Sequence, residues 1–176
     1  QRIPHGGPDL LYAGKRSSIM KLYHSSTIKV EHPDLDHSRD YLDFGKGFYL
    51  TSLREQAVSY AERYLLRGRT AVMNEYEVPE NLIELNVKVF ETYDEEWLDF
   101  ILTCRQGKDT TDYDLVIGGI ANDKIFKTID LYFTGDITKD EALRRLKYEK
   151  PNNQYCFRTA RALTLLSFTS SEVITR

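Results

Sequence analysis

Seven short runs rich in Val, Ile, Tyr and Phe, separated by segments of helical periodicity, restrict this chain to a mixed architecture. The runs are Lys21 to Thr27, Gly47 to Ser52, Ala71 to Val78, Val87 to Phe90, Leu115 to Ala121, Gln154 to Arg158 and Ser167 to Ile174. Their β-branched and aromatic side chains fit a pleated, half-buried surface, so each reads as one strand. Between them, Leu53, Ala57, Tyr60, Ala61 and Tyr64 fall on one helical stripe, and Trp97, Phe100, Ile101 and Cys104 on a second. Thr138 with Glu141 reads as a capping box opening a third helix, with Ala142, Leu143 and Leu146 on its apolar side. Strands interrupted by helices at irregular intervals predict an α+β domain. Periodicity does not select the topology.

A chain of 176 residues fits one domain. Such a domain buries roughly 70% of its unfolded surface and needs neither metal nor disulfide to fold. The net charge of −3 provides no general basic footprint for nucleic acid. Arg63, Arg67 and Arg69, like Arg144, Arg145 and Lys147, read as solvated helix faces. Cys104 and Cys156 lack metal-ligand spacing and are expected as buried, reduced thiols. No stretch approaches the ~18 apolar residues of a membrane span, and no signal-peptide core is visible. Residues 1–19 read as a cloning-derived or disordered leader before Met20, a plausible native start, and residues 20–176 as the domain; an export signal lost ahead of Met20 would be invisible.

Two segments carry the functional signal. KLYHSST, Lys21 to Thr27, ends a strand on polar residues, and DFGKGFYLT, Asp43 to Thr51, is a glycine-hinged turn entering another strand. Gly45 and Gly47 are expected to let backbone approach a ligand where a Cβ would clash. His24, Tyr49 and Tyr60 around such a turn can hold a ribose hydroxyl and clamp a flat cationic ring such as nicotinamide. Taken singly, each has a plain structural alternative: a satisfied histidine, a packed strand residue and a core aromatic.

HSS followed by FGKGFY resembles the HGS and FGKGIY segments of the poly(ADP-ribose) polymerase and diphtheria-toxin type of ADP-ribosyltransferase. Over Leu22 to Phe157, the strings LYHSS, DFGKGFYLT, EWLDFI, DYDLVIGGIANDKIF and RLKYEKPNNQYCF resemble the bacterial domain-of-unknown-function 3990 family, placed in the same clan. The resemblance implies a split antiparallel β-sandwich flanked by helices, with NAD+ between two small sheets. It implies that His24 bonds the adenosine-side ribose, that Ser25 anchors the nicotinamide carboxamide through its backbone, and that Tyr49 and Tyr60 lie against nicotinamide. Ser26, Phe44, Gly45 and Asn122 complete the implied NAD+ site.

Three departures stand out. Ser25 occupies a position where Gly is usual, and Ala57 one where a carboxamide-binding Ser is common. Gln154 occupies the position of the catalytic Glu, giving a His-Tyr-Gln signature. A glutamine can bond the ribose 2′-hydroxyl but can neither stabilise an oxocarbenium-like state by charge nor act as a general base. Poly(ADP-ribose) elongation is therefore not expected. Asn122 and Asp123, after the run LVIGGIA, either cap a helix or reach the cleft, where Asp123 would supply the missing carboxylate. Arg105 reads as a helix-end cation or a pyrophosphate partner.

The expected activity is NAD+-dependent mono-ADP-ribosyl transfer, of the glycosyltransferase class, with NAD+ as substrate and no metal. His24, Tyr49, Asp123 and Gln154 form the expected catalytic set. The acceptor is expected to be a protein rather than nucleic acid, with no membrane partner. Proteins of this clan act in the bacterial cytoplasm or as toxins and effectors delivered into target cells, where an antitoxin or immunity protein is a further partner. NAD+ glycohydrolysis, or NAD+ or ADP-ribose binding without efficient catalysis, are the alternatives.

Overall fold

The computed structural model describes residues 18–175; residues 1–17, most of the expected leader, lie outside them. The elements are β1 (Ile19–Ser26), β2 (Phe48–Leu50), α1 (Arg54–Leu66), β3 (Ala71–Pro79), β4 (Val87–Val89), α2 (Glu95–Arg105), β5 (Leu115–Gly118), α3 (Asp123–Phe133), α4 (Lys139–Leu146), β6 (Gln154–Phe157), α5 (Ala160–Leu163) and β7 (Ser167–Ile174). Every expected strand-like run contains a strand. At the start of the described residues, Ser18 accepts from the Glu80 N–H at 3.0 Å and donates its hydroxyl to the Glu80 carboxylate at 2.6 Å.

The strands form two sheets, β1-β3-β7 and β2-β6-β5-β4. The first is wholly antiparallel. In the second, β4 and β5 run parallel, so the expectation of purely antiparallel sheets fails at this pair. The cause is local. Helix α2 connects β4 to β5, and a strand-helix-strand crossover returns the chain in its original direction.

Three apolar clusters stack the layers. Leu22, Tyr76 and Val78 of the first sheet pack with Phe48, Leu50, Leu115 and Phe157 of the second. Trp97, Leu98 and Ile101 of α2, Ile125 and Ile129 of α3, and Ala142 and Leu146 of α4 join Val116 and Cys156 of the second sheet. Helix α1 closes the first sheet's other face, where Ala57 and Ala61 meet Ala71, Met73 and Ile174. Small side chains let α1 lie close to the sheet. The expected apolar stripe is correspondingly narrower: Leu53 and Tyr60, at its rim, are each 45% exposed.

Caps set the helix starts. Asp94 accepts from the Trp97 N–H at 2.9 Å, and Thr138 from the Glu141 N–H at 3.1 Å. Only half of the expected capping box forms, because the Glu141 carboxylate turns to Arg144 and Arg145. The expected run to Ala121 is longer than its strand: β5 stops at Gly118, and Asn122 takes the capping role of its two expected ones, accepting from the Ile125 N–H at 2.9 Å at the start of α3. Both cysteines are free and buried. Among the described residues no helix is long and apolar enough to cross a membrane.

Candidate functional site

The two sheets meet where β1, the edge of the first, touches the end of β2. Tyr23 donates to the Thr51 carbonyl at 2.8 Å and accepts from the Thr51 N–H at 2.9 Å. N–H and C=O groups of alternate antiparallel residues point to the same side. Ser25, two residues beyond Tyr23 in the same strand, therefore turns its own N–H and C=O away from β3, past the end of the bridge. The parity is independently marked: Pro79, which has no N–H, pairs with the outward-facing Ile19. Neither Ser25 group meets a backbone partner among the described residues.

His24 lies on the opposite face of β1. Its ring stacks on Phe48 at 4.0 Å between centroids, and Nδ1 lies 2.6 Å from the Tyr49 carbonyl oxygen. A carbonyl only accepts, so Nδ1 carries the proton, and Nε2 of the neutral ring is an acceptor. Nε2 has no hydrogen-bond partner among the described residues. Burial disfavours the imidazolium and outweighs the Tyr49 hydrogen bond, lowering the pKa from 6.5 to about 4. His24 is thus held neutral, with a fixed tautomer.

The Ser25 hydroxyl donates to the Ala57 carbonyl in α1. Ser26 accepts from the Ile28 N–H at 3.4 Å, and buried Asn74, opposite His24, holds the turn that follows through Ile28 and Val30. Sequence reading missed Asn74, a buried amide inside β3.

Gln154 opens β6 opposite Gly118. Its Nε2 lies 3.5 Å from Oε1 of Gln56, which also accepts from the Thr51 hydroxyl at 2.9 Å. Through Gln56 and Thr51, Gln154 is joined to the seam that carries His24 and Ser25. Gln56 is a second missed residue, since one polar residue on a helix leaves no pattern. The two asparagines before Gln154 act as braces. Asn152 accepts from the Ile120 N–H at 2.8 Å and donates to its carbonyl at 3.1 Å, while Asn153 accepts from the Ser52 N–H at 3.0 Å and hydroxyl at 2.8 Å.

Other expected site residues serve the scaffold. Tyr49 donates its hydroxyl to the Gly45 carbonyl at 2.5 Å and accepts from the Phe44 N–H at 3.1 Å, closing the turn before β2. Burial keeps this phenol protonated, its pKa well above the ordinary value. Phe44 is fully buried and packs on Phe90 and Phe100, so its ring has no surface to offer a ligand. Gly45 adopts φ +79°, as the turn requires. Gly47 makes room for protein rather than ligand: a Cβ there would meet Cys156 Sγ at 2.5 Å and the Phe157 carbonyl at 2.8 Å.

The Asn122 side-chain oxygen is spent on the α3 cap, and Asp123 is exposed in the first turn, with no hydrogen bond or ion pair among the described residues. Asp43 takes Arg105, whose Nε donates at 2.7 Å, together with the Ala121 N–H at 2.8 Å. Arg105 is thereby committed to a carboxylate of its own chain. Tyr60 meets Tyr64 edge-on at 5.9 Å and carries Arg63 over its ring. Two surface grooves, of about 530 and 430 Å³, lie away from the His24–Ser25–Gln154 seam. Among the described residues no three His, Cys, Asp or Glu side chains are placed to hold a metal ion.

The family model described as "Protein of unknown function (DUF3990)" matches residues 20–168. No curated protein and no solved structure matches the chain.

Proposed function

The chain belongs to the DUF3990 family, and from its site we propose that it is a NAD+-dependent mono-ADP-ribosyltransferase of the ADP-ribosyltransferase fold, with a His24-Tyr49-Gln154 signature. The observation that carries this reading is the seam itself. An N–H and C=O on Ser25 without a backbone partner among the described residues match the acceptor and donor of a carboxamide, and a neutral His24 offers Nε2 to a ribose hydroxyl nearby.

In the proposed reaction the bond between ribose C1′ and the pyridinium nitrogen breaks, and its electron pair leaves with neutral nicotinamide. The acceptor nucleophile bonds to C1′ and releases its proton to solvent. Gln154, steadied by Gln56 and the Asn152 and Asn153 braces, orients the ribose hydroxyl through its amide. Tyr49 shapes the turn and aligns His24 through its carbonyl, while Tyr60 stands one helical turn beyond Ala57 as the aromatic nearest the Ser25 edge along α1.

A second reading follows from one observation: no carboxylate bonds Gln154. NAD+ glycohydrolysis, or NAD+ or ADP-ribose binding with little turnover, fits a site without charge stabilisation. Incubation with labelled NAD+ and cell lysate separates the readings. Label on a protein band is expected; free ADP-ribose supports the hydrolase, and intact bound NAD+ the binding module. Gln154→Ala should slow nicotinamide release by ~10²–10³ while NAD+ still binds. Asp123→Asn should leave the rate unchanged, given its exposed place at the start of α3. Failure of the wild-type chain either to bind or to consume NAD+ would overturn the proposal.

A further inference from the structure

The last two turns of α1 present an unusual surface. Tyr60, Arg63, Tyr64 and Arg67 follow at i, i+3, i+4 and i+7, which aligns them along one side of the helix. Tyr60 is 45% exposed and meets Tyr64 edge-on at 5.9 Å, while the Arg63 guanidinium lies 5.2 Å over the Tyr60 ring. Arg69 follows the helix, its N–H bonded to the Tyr64 carbonyl at 2.9 Å. Arg39, in the loop before β2, is close enough to Tyr64 to act on its hydroxyl together with Arg67 and Arg69.

Arg39, Arg63, Arg67 and Arg69 are all exposed, and none forms an ion pair among the described residues. The contrast with other arginines is informative. Arg54, Arg105, Arg144, Arg145, Arg158 and Arg161 all hold a carboxylate of this chain. Glu62, the nearest acid in sequence, sits about 200° round the helix from Tyr60. On a chain of net charge −3, a group of guanidinium ions without a carboxylate partner among the described residues, beside an exposed ring, is a surface suited to anions.

The stripe runs on into a groove of about 530 Å³ lined by Leu65, Gly68, Arg69, Ala71, Val173 and Ile174. Val173, on β7, is 62% exposed. The surface is therefore basic and aromatic along the helix, then apolar at the helix end.

We propose that this face of α1 docks an extended acidic segment of a partner protein, with an apolar residue following the acidic ones into the groove beside Val173. Spacing supports an extended peptide. Arg63 and Arg67 stand about 6 Å apart along the helix axis, close to the roughly 6.6 Å between same-face residues of a strand, so a Glu-x-Glu segment meets both. Composition decides between polyanions. Segment 54–70 contains no Lys, and Arg with Tyr is the pairing enriched at protein–protein interfaces. The stripe from Tyr60 to Arg67 spans about 10 Å, which is short for a nucleic-acid track. The proposal goes beyond the transferase reading and does not depend on it, because binding is measured without NAD+.

The test uses the full chain and fluorescence anisotropy of a labelled peptide of alternating Glu and Ser ending in Leu. Wild-type protein should bind it, and raising salt from about 50 to about 300 mM should weaken binding. Arg63→Gln with Arg67→Gln should weaken it roughly tenfold, as two solvated ion pairs are lost. The Lys double variant should recover part of the loss, which a folding defect would not, and circular dichroism verifies the fold of each variant. No binding by wild type, or equal binding by the Gln variant, overturns the proposal. An oligodeoxythymidine of matched charge that binds more tightly than the peptide overturns the choice of a protein partner.

Discussion

The lowered pKa of His24 makes stability a direct readout of the site, independent of any substrate. In the unfolded chain the imidazole titrates near 6.5; in the folded protein burial lowers this to about 4. Between those values the unfolded state binds a proton that the folded state refuses, so stability falls as pH drops from 6.5 toward 4. From pH 7 to pH 5 the fully buried limit is about 2 kcal/mol, and solvent reaching a half-buried ring reduces this to roughly 1–2 kcal/mol. Other groups do not share the window. Burial pushes Asp114 up, but hydrogen bonds from Arg161, the Asn86 N–H and Thr159 outweigh it and bring its pKa to about 2, so its contribution is lost only below the unfolded carboxylate pKa. His37, raised by Asp34, acts with the opposite sign and is fully exposed.

The perturbation is His24→Gln, which keeps a donor for the Tyr49 carbonyl and removes the titration. Urea denaturation of both proteins at pH 7 and pH 5 isolates the difference. Wild type should lose roughly 1–2 kcal/mol more than the variant across that range; equal losses would refute the buried neutral imidazole. Under the proposed function the same state predicts nearly constant NAD+ affinity from pH 8 to 5, whereas an ordinary imidazole would offer its acceptor in only about one molecule in thirty at pH 5.

Gly47→Ala should cost roughly 1–3 kcal/mol, read as a lower urea midpoint, because the new Cβ would sit 2.5 Å from Cys156 Sγ and 2.8 Å from the Phe157 carbonyl. Tyr49→Phe removes the bonds to Gly45 and Phe44 and should cost about 1–3 kcal/mol while leaving the His24 contact to the Tyr49 backbone intact; an unchanged midpoint would mean that the turn closes without the phenol. Asn152→Ala removes the partner of the Ile120 N–H and leaves its carbonyl to the Tyr93 hydroxyl alone, so hydrogen exchange at the Ile120 amide should quicken; unchanged protection there would refute the brace.

The strands were legible because their chemistry is local. Val, Ile, Tyr and Phe runs declare a strand wherever it pairs. The direction of β4 against β5 was not, since it depends on the helix between them rather than on either strand. The end of β5 was not legible either. LVIGGIA reads as one apolar run, and only the three-dimensional arrangement shows why it ends at Gly118. Tyr93 fills the space beside Gly119, and Asp43 and Asn152 hold Ala121 and Ile120. Tyr60 was misplaced on the apolar stripe for a related reason, since helical periodicity gives direction but not depth. The two alanines decide how close α1 comes to its sheet.

Around the seam, the residues expected from sequence are types that declare chemistry by themselves, and residues that act through another were not expected. His24, Ser25 and Gln154 stand at one seam; Asn74, Gln56 and Asn152 support it and are ordinary polar residues in sequence. The departures at positions 25 and 57 illustrate the limit most clearly. Set against the ADP-ribosyltransferase pattern that the sequence resembles, they read along the chain as two separate departures, Ser25 where glycine is usual and Ala57 where serine is common. In space they are one contact, because the Ser25 hydroxyl donates to the Ala57 carbonyl. The hydrogen bond also draws the Ser25 side chain toward α1, on the sheet face, while the N–H and C=O point along the strand edge. A serine at position 25 can therefore leave the open edge of β1 unobstructed, which the sequence pattern alone would count against it.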